Sequence, residues 1–283
     1  MFRRLAALFF LAAVLPAAAE TPAKQLFGAV KDPAPLASRS IGTYARGCLA
    51  GAQLLPINGP AWQVMRLSRN RNWGNPALVN FLEHLAAKAP SAGWNGLLVG
   101  DMSQPRGGPM ATGHASHQIG LDADIWLTPM PKRELTYDER ERVSAVSMLA
   151  PDTLSVDPKK FTNRQFNIIR LTAKQPEVER IFVNRAIKKA LCEQTSGDRG
   201  WLSKVRPWWG HDYHFHVRIA CPRNSPTCKP QKEPPSGDGC GAELQSWYAP
   251  LPKPTKPSKP KPPPPEITLK DLPPECSQVL VAK

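Results

Sequence analysis

The stretch Leu121-Asp122-Ala123-Asp124-Ile125-Trp126-Leu127 alternates residue by residue. Leu121, Ala123, Ile125 and Leu127 take every second position, and Asp122, Asp124 and Trp126 lie between them. On a strand successive side chains point to opposite faces. An apolar set therefore faces a core while two carboxylates share the other side. A second stretch, His211-Asp212-Tyr213-His214-Phe215-His216-Val217-Arg218-Ile219, has the same period. Tyr213, Phe215, Val217 and Ile219 form its apolar face, and His214, His216 and Arg218 its polar one.

Between these strands and outward from them, helices are signalled over 76–88, 137–149, 164–174 and 185–192. Asn75 is suited to cap the first helix and Pro76 to open it. Leu78, Phe81, Leu82 and Leu85 give it a buried stripe. Gly96-Leu97-Leu98-Val99-Gly100 and Arg180-Ile181-Phe182-Val183-Asn184 read as further short strands, and Gln104–Pro109 as a Gly/Pro loop. No regular βαβ order is present. The expected class is α+β, a small central antiparallel sheet with flanking helices.

The ends differ from this middle. Met1-Phe2-Arg3-Arg4, an apolar run from Leu5 to Pro16 and Ala17-Ala18-Ala19 describe a secretory signal peptide over 1–19, too short for a comfortable bilayer span. An uncleaved anchor is the alternative. Cleavage after Ala19 leaves a protein outside the cytoplasm, in the periplasm where the cell has one, with no membrane attachment. Residues 20–45 lack periodicity and read as an arm belonging to a domain over 20–248. From Pro250 to Pro265 prolines alternate with lysines and read as a stiff linker, with a ligand motif as the alternative, within a Pro/Lys-rich tail over 249–283 tethered by a disulfide.

Six cysteines, Cys48, Cys192, Cys221, Cys228, Cys240 and Cys276, suit an exported chain as a disulfide framework. No C-x-x-C occurs, and spacing does not choose among the fifteen pairings that six cysteines allow. The formal charge of +14 from 37 Lys and Arg against 23 Asp and Glu fits an acidic extracellular polymer or equally a merely solvated basic surface. Export argues against nucleic acid.

Five of the six histidines lie in the two blocks: His114 and His117 just before the first strand, His211, His214 and His216 in the second. A turn at Gly120 would bring His117 beside Asp124. His84 stands apart, in the first helix, and reads as structural or exposed. Imidazoles with a carboxylate suit zinc in a site that keeps room for water. Zinc lowers the pKa of such a water toward about 7, and spare histidines serve as base or oxyanion partner. No G-x-S-x-G elbow and no H-E-x-x-H helix offers a rival chemistry.

Gly113-His114-Ala115-Ser116-His117-Gln118-Ile119-Gly120-Leu121-Asp122-Ala123-Asp124, the block from Val205 through Arg218 and the block from Pro235 to Trp247 resemble the penicillin-insensitive murein endopeptidases. These are grouped with lysostaphin-type and D-alanyl-D-alanine metallopeptidases and with hedgehog domains. The resemblance implies zinc held by His117, Asp124 and His216, with His214 as base and His114 and His211 lining the site. It implies the D-alanyl to meso-diaminopimelyl cross-link of peptidoglycan as substrate. It implies the bridges Cys48–Cys276, Cys192–Cys240 and Cys221–Cys228. A zinc site kept for binding alone, a carboxypeptidase trimming a terminal D-alanine and a wall-binding module are the other readings.

Overall fold

A computed structural model describes residues 20–250 and 264–283. The expected signal peptide over 1–19 lies outside the described residues, as does most of the Pro/Lys run. Strands β1 (Arg39–Thr43), β2 (Arg46–Ala50), β3 (Gln53–Leu54), β4 (Asn58–Gly59), β5 (Trp62–Val64), β6 (Trp73–Gly74), β7 (Leu97–Val99), β8 (Asp122–Trp126), β9 (Val178–Val183), β10 (Val205–Pro207) and β11 (His214–Ile219) alternate irregularly with helices. The helices are α1 (Ala23–Ala29), α2 (Pro76–Lys88), α3 (Tyr137–Arg142), α4 (Asn163–Ala173), α5 (Arg185–Gln194), α6 (Ala242–Ser246) and α7 (Glu275–Val281).

Seven strands form one sheet in the order β10-β9-β11-β8-β7-β5-β4. Its centre is antiparallel, as expected. It is larger than expected, because parallel pairs flank that centre: β10 with β9, and β5 with β7. The register of β11 on β8 sets Phe215 opposite Ile125 and Val217 opposite Ala123, while His216 meets Asp124 and Arg218 meets Asp122. The period of two thus sorts apolar and polar pairs onto separate faces. Phe215, Val217, Ala123, Ile125, Ile181 and Val183 join the buried cluster that also holds Leu82, Leu85 and Ile169 of the helices.

Local signals explain the helices. Asn75 Oδ1 accepts from Ala77 N, with Pro76 at the first helical position, and α2 buries Leu78, Phe81, Leu82 and Leu85. Thr162 and Gln165 make a capping box at the start of α4. Gln165 Nε2 then donates to Leu127 O, tying that helix to the end of β8. One expected helix is shortened. The pattern over 137–149 gives helix only to Arg142. Arg66 reaches across to the carbonyls of Arg140, Glu141 and Val143, and Met148 N donates to Asp212 O. The carbonyls and the N–H that a longer helix would pair internally are taken by tertiary partners.

The N-terminal segment and the C-terminal residues carry more structure than an arm and a tail. α1, the β1–β2 hairpin and α7 enclose a second buried cluster of Ala23, Phe27, Ile41, Cys48, Leu272, Cys276 and Val279. Arg106 donates to the Val279 and Leu280 carbonyls at the end of α7. The structure pairs Cys48 with Cys276, Cys192 with Cys240 and Cys221 with Cys228, the three bridges the resemblance implied.

The Cys48–Cys276 bridge closes 228 residues. A loop of that size is assigned roughly 4–5 kcal/mol of denatured-state restriction, and measured gains are often smaller. Cys276→Ser is expected to lower the denaturant midpoint of the whole chain and to free α7 amides to exchange first. An unchanged midpoint in equilibrium unfolding would refute this.

Candidate metal centre

The polar face of β8 and β11 is completed by the loop before β8. His117 and Gly120 both adopt left-handed backbone, at φ +68° and +69°. Gly120 suits that conformation, and a Cβ there would meet Leu49 Cδ2 at 2.5 Å and Asn75 N at 2.9 Å. For His117 the same conformation is uncommon. It is held because the His117 N–H donates to Asp122 Oδ2 at 3.0 Å. The turn brings the His117 ring beside Asp124, as the spacing predicted.

Asp124 is the meeting point. Its Oδ1 lies 3.6 Å from His117 Nε2, 3.3 Å from His216 Nδ1 and 3.5 Å from His214 Nε2. Its Oδ2 lies 3.5 Å from His114 Nδ1. Most of these separations exceed ordinary hydrogen bonds. Atoms that share a tetrahedral zinc at about 2.0–2.1 Å stand about 3.3 Å apart. His114, His117 and Asp124 each offer a ligand atom, all within 4.8 Å of one another, and His216 joins through Asp124.

Burial sharpens the case. His117 is fully buried, and among the described residues neither of its ring nitrogens has a hydrogen-bond partner. Asp124 Oδ1 is also buried without one. An imidazole with both nitrogens orphaned is costly unless something else satisfies it. A metal cation does so, and the donor set of imidazoles and carboxylate fits zinc. Burial, opposed by Asp124, pushes the His117 pKa down to about 3. The ring is therefore neutral and keeps the lone pair that a metal needs. Burial also lowers His214 and takes His211 down to about 4, in both cases against Asp124. For His216 burial is outweighed by Asp122 and Asp124, which raise it to about 9, so holding a metal there requires that proton to leave.

The sequence-derived candidates converge, with different surroundings. His114 Nε2 donates to Asp101 Oδ2 at 2.9 Å, which turns Nδ1 toward Asp124. That places His114 within the possible ligand group as well as along its wall. His211 precedes β11 at φ +54°, and its Nδ1 donates to Trp209 O at 2.8 Å. Its ring centroid is 4.8 Å from that of His214. Tyr213 departs from the expected apolar face: it precedes the strand, is 41% exposed and lies against His214. His84 is exposed on α2.

Two carboxylates have supporting duties. Asp122, fully buried, receives Arg218 Nε at 2.7 Å and Nη2 at 3.0 Å, and lies 3.2 Å from His216 Nε2. Asp101, just after β7, receives Arg69 at 3.0 Å, Arg71 at 2.8 Å and His114, all on Oδ2. Burial opposes its charge, yet the His114 hydrogen bond and these cations hold its carboxyl well below the usual range. Sequence reading missed Asp101. A charged residue directly after a buried strand and a glycine was its one signal.

His117→Ala and Asp124→Asn are expected to lose bound metal after dialysis, and His84→Ala to keep it. Elemental mass spectrometry decides, and a stoichiometric, chelator-resistant metal in His117→Ala would refute the assignment. Asp122→Ala leaves Arg218 buried without its carboxylate, so a loss of about 3–5 kcal/mol in unfolding free energy is expected. Calorimetry or denaturant titration measures it.

Residues 40–281 match the family described as penicillin-insensitive murein endopeptidase. A protein of that name from Yersinia pestis bv. Antiqua (strain Antiqua) is 42% identical over 270 residues, covering 95% of this chain and 94% of its own length. Its namesake from Salmonella heidelberg (strain SL476) is 46% identical over 253 residues, 89% of each chain. That from Shigella sonnei (strain Ss046) is 44% identical over 252 residues, again 89% of each. With the family matched over most of its length and relatives this close, the chain belongs to the penicillin-insensitive murein endopeptidases.

Proposed function

We propose that this chain is a zinc endopeptidase that hydrolyses D-alanyl to meso-diaminopimelyl cross-links of peptidoglycan in the periplasm, exported by its N-terminal segment. The observation that carries the metal reading is the fully buried, unpartnered His117 beside an Asp124 ringed by imidazoles. Membership of a murein endopeptidase family supports the peptidoglycan substrate and the hydrolytic reaction.

His117, Asp124 and His216 are the proposed zinc ligands, with His114 in reach on the other oxygen of Asp124. Zinc, when bound there, supplies Lewis acidity toward water and a scissile carbonyl. The remaining roles fall to the chain. A cavity of about 280 Å³ opens over Asp124, lined by His114, His214, Tyr213 and Trp126 among others. His214, kept neutral by burial, lines that cavity with Nε2 3.5 Å from Asp124 Oδ1, and serves to take a proton from the attacking water and hand it to the leaving amine. Asp101 fixes the ring of His114 through Nε2. The Trp209 carbonyl fixes His211 beside His214. No serine nucleophile takes part, so a β-lactam has nothing to acylate.

His214→Ala is expected to keep zinc and to lose roughly 100- to 10,000-fold in turnover, the range for a general base. His216→Ala is expected to lose zinc. Purified variants are incubated with cross-linked muropeptide dimers with and without chelator, and products and metal content are read by mass spectrometry. Zinc lost from His214→Ala but retained in His216→Ala would reverse the two roles. Release of terminal D-alanine, with dimers left intact, would overturn the endopeptidase reading in favour of a carboxypeptidase.

A further inference from the structure

The cavity over Asp124 has one cationic wall, and its charges are unequally employed. Arg66 and Arg69 both line it. Arg66 is spent: its Nη1 and Nη2 donate to the carbonyls of Arg140, Glu141 and Val143, and its guanidinium lies 5.3 Å from the Trp126 ring centre. The Arg69 side chain makes a single hydrogen bond among the described residues, from Nη1 to Asp101 Oδ2, and is 46% exposed. That same oxygen already receives Arg71 and His114. One carboxylate therefore faces two arginines and an imidazole. Arg71 is the enclosed partner, 9% exposed, and it is anchored a second time on Thr112 O. Arg69 is the surplus cation, with donors open to the cavity.

The proposed substrate supplies a matching anion, and here the argument rests on the reading under Proposed function. The amine side of that cross-link is an amino-acid centre of diaminopimelate. Its carboxylate sits on the carbon that bears the scissile nitrogen. A peptide placed with its carbonyl at Asp124 thus carries a negative group into the same small cavity. Arginine is suited to hold it through two parallel N–H donors. Little is lost by sharing Arg69, because a half-exposed ion pair contributes little on its own.

We propose that Arg69 binds the substrate carboxylate next to the scissile nitrogen and so makes the enzyme selective for a free carboxylate at that position. The test compares two muropeptide dimers, one with this carboxylate free and one with it amidated. Wild type is expected to prefer the free form by about 10- to 100-fold in kcat/KM, the range for a hydrogen bond to a charged group, expressed mainly in KM. Arg69→Gln loses that preference. Arg69→Lys, which keeps the charge without the paired donors, retains part of it and serves if the glutamine variant does not fold. Arg71→Gln removes a cation from the same Asp101 oxygen but does not line the cavity, so it keeps the preference. Metal content is measured in every variant and is expected to be unchanged in Arg69→Gln. Equal cleavage of both dimers by wild type overturns the proposal, as does an undiminished preference in Arg69→Gln. Loss of the preference in Arg71→Gln also overturns it, by moving the effect to Asp101. Cleavage of neither dimer by wild type overturns the proposed reaction, and this proposal with it.

Discussion

Arg218 and Asp122 face each other across β11 and β8, both buried, and the site depends on that pair. Two charges buried together cost much desolvation, and breaking them apart costs more. The pair therefore specifies register more than it adds stability. A slip of one residue would set Phe215 and Val217 against the aspartates and leave Arg218 opposite an apolar neighbour. With the register fixed, His216 must meet Asp124. Asp122 acts a second time by accepting the His117 N–H, which holds an imidazole in a backbone conformation it would otherwise avoid. One carboxylate thus links strand pairing to the placement of two histidines from distant segments.

Away from the sheet, buried cations do the work that regular structure does elsewhere. Arg140 is 1% exposed and donates to the carbonyls of Leu135, Ile57 and Val64. Lys188 is fully buried and donates to Leu202 O and Asp238 O, while burial and the nearby Arg206 push its ammonium down to about 7. Each gathers carbonyls from separate segments, Arg140 joining Leu135 and Ile57 to the end of β5 and Lys188 joining Leu202 to Asp238. The same device ends α3 early and shapes the cavity wall, since the carbonyls that Arg66 collects are those α3 would need to continue. Loops held in this way give the cavity fixed walls without a covering helix.

What was legible in the sequence follows from range. α2, α4 and α5 carry their caps and stripes within a dozen residues, and β8 and β11 carry a period of two. These signals are local and survive in the fold. The cluster of Phe27, Ile41, Cys48, Cys276 and Val279 has no local period. Its members come from opposite ends of the chain and become a core only when Cys48 meets Cys276. The candidate site divides in the same way. Histidines spaced two and three apart announce themselves, whereas Asp101 is a lone aspartate whose meaning lies in Arg69, Arg71 and His114, residues 13 to 32 positions away.

The site's demands run against the fold's stability, and the arrangement of carboxylates shows how the conflict is contained. An unpartnered buried imidazole and an unpartnered carboxylate oxygen both oppose folding. A ligand that binds only the folded chain offsets such a cost by mass action, so a metal held as proposed at His117 and Asp124 would couple its occupancy to folding. Asp122, by contrast, receives chain donors on both oxygens, and Asp101 receives three on Oδ2. They flank Asp124 and hold His114, His117 and Arg218 whether or not an ion is present. Within the site the unpartnered buried atoms belong to His117, Asp124 and His216, while the carboxylates that aim these residues are held by the chain's own donors. A histidine aimed by a paired carboxylate loses little freedom on binding, which is how a site assembled from a strained turn and two strands can be preorganised.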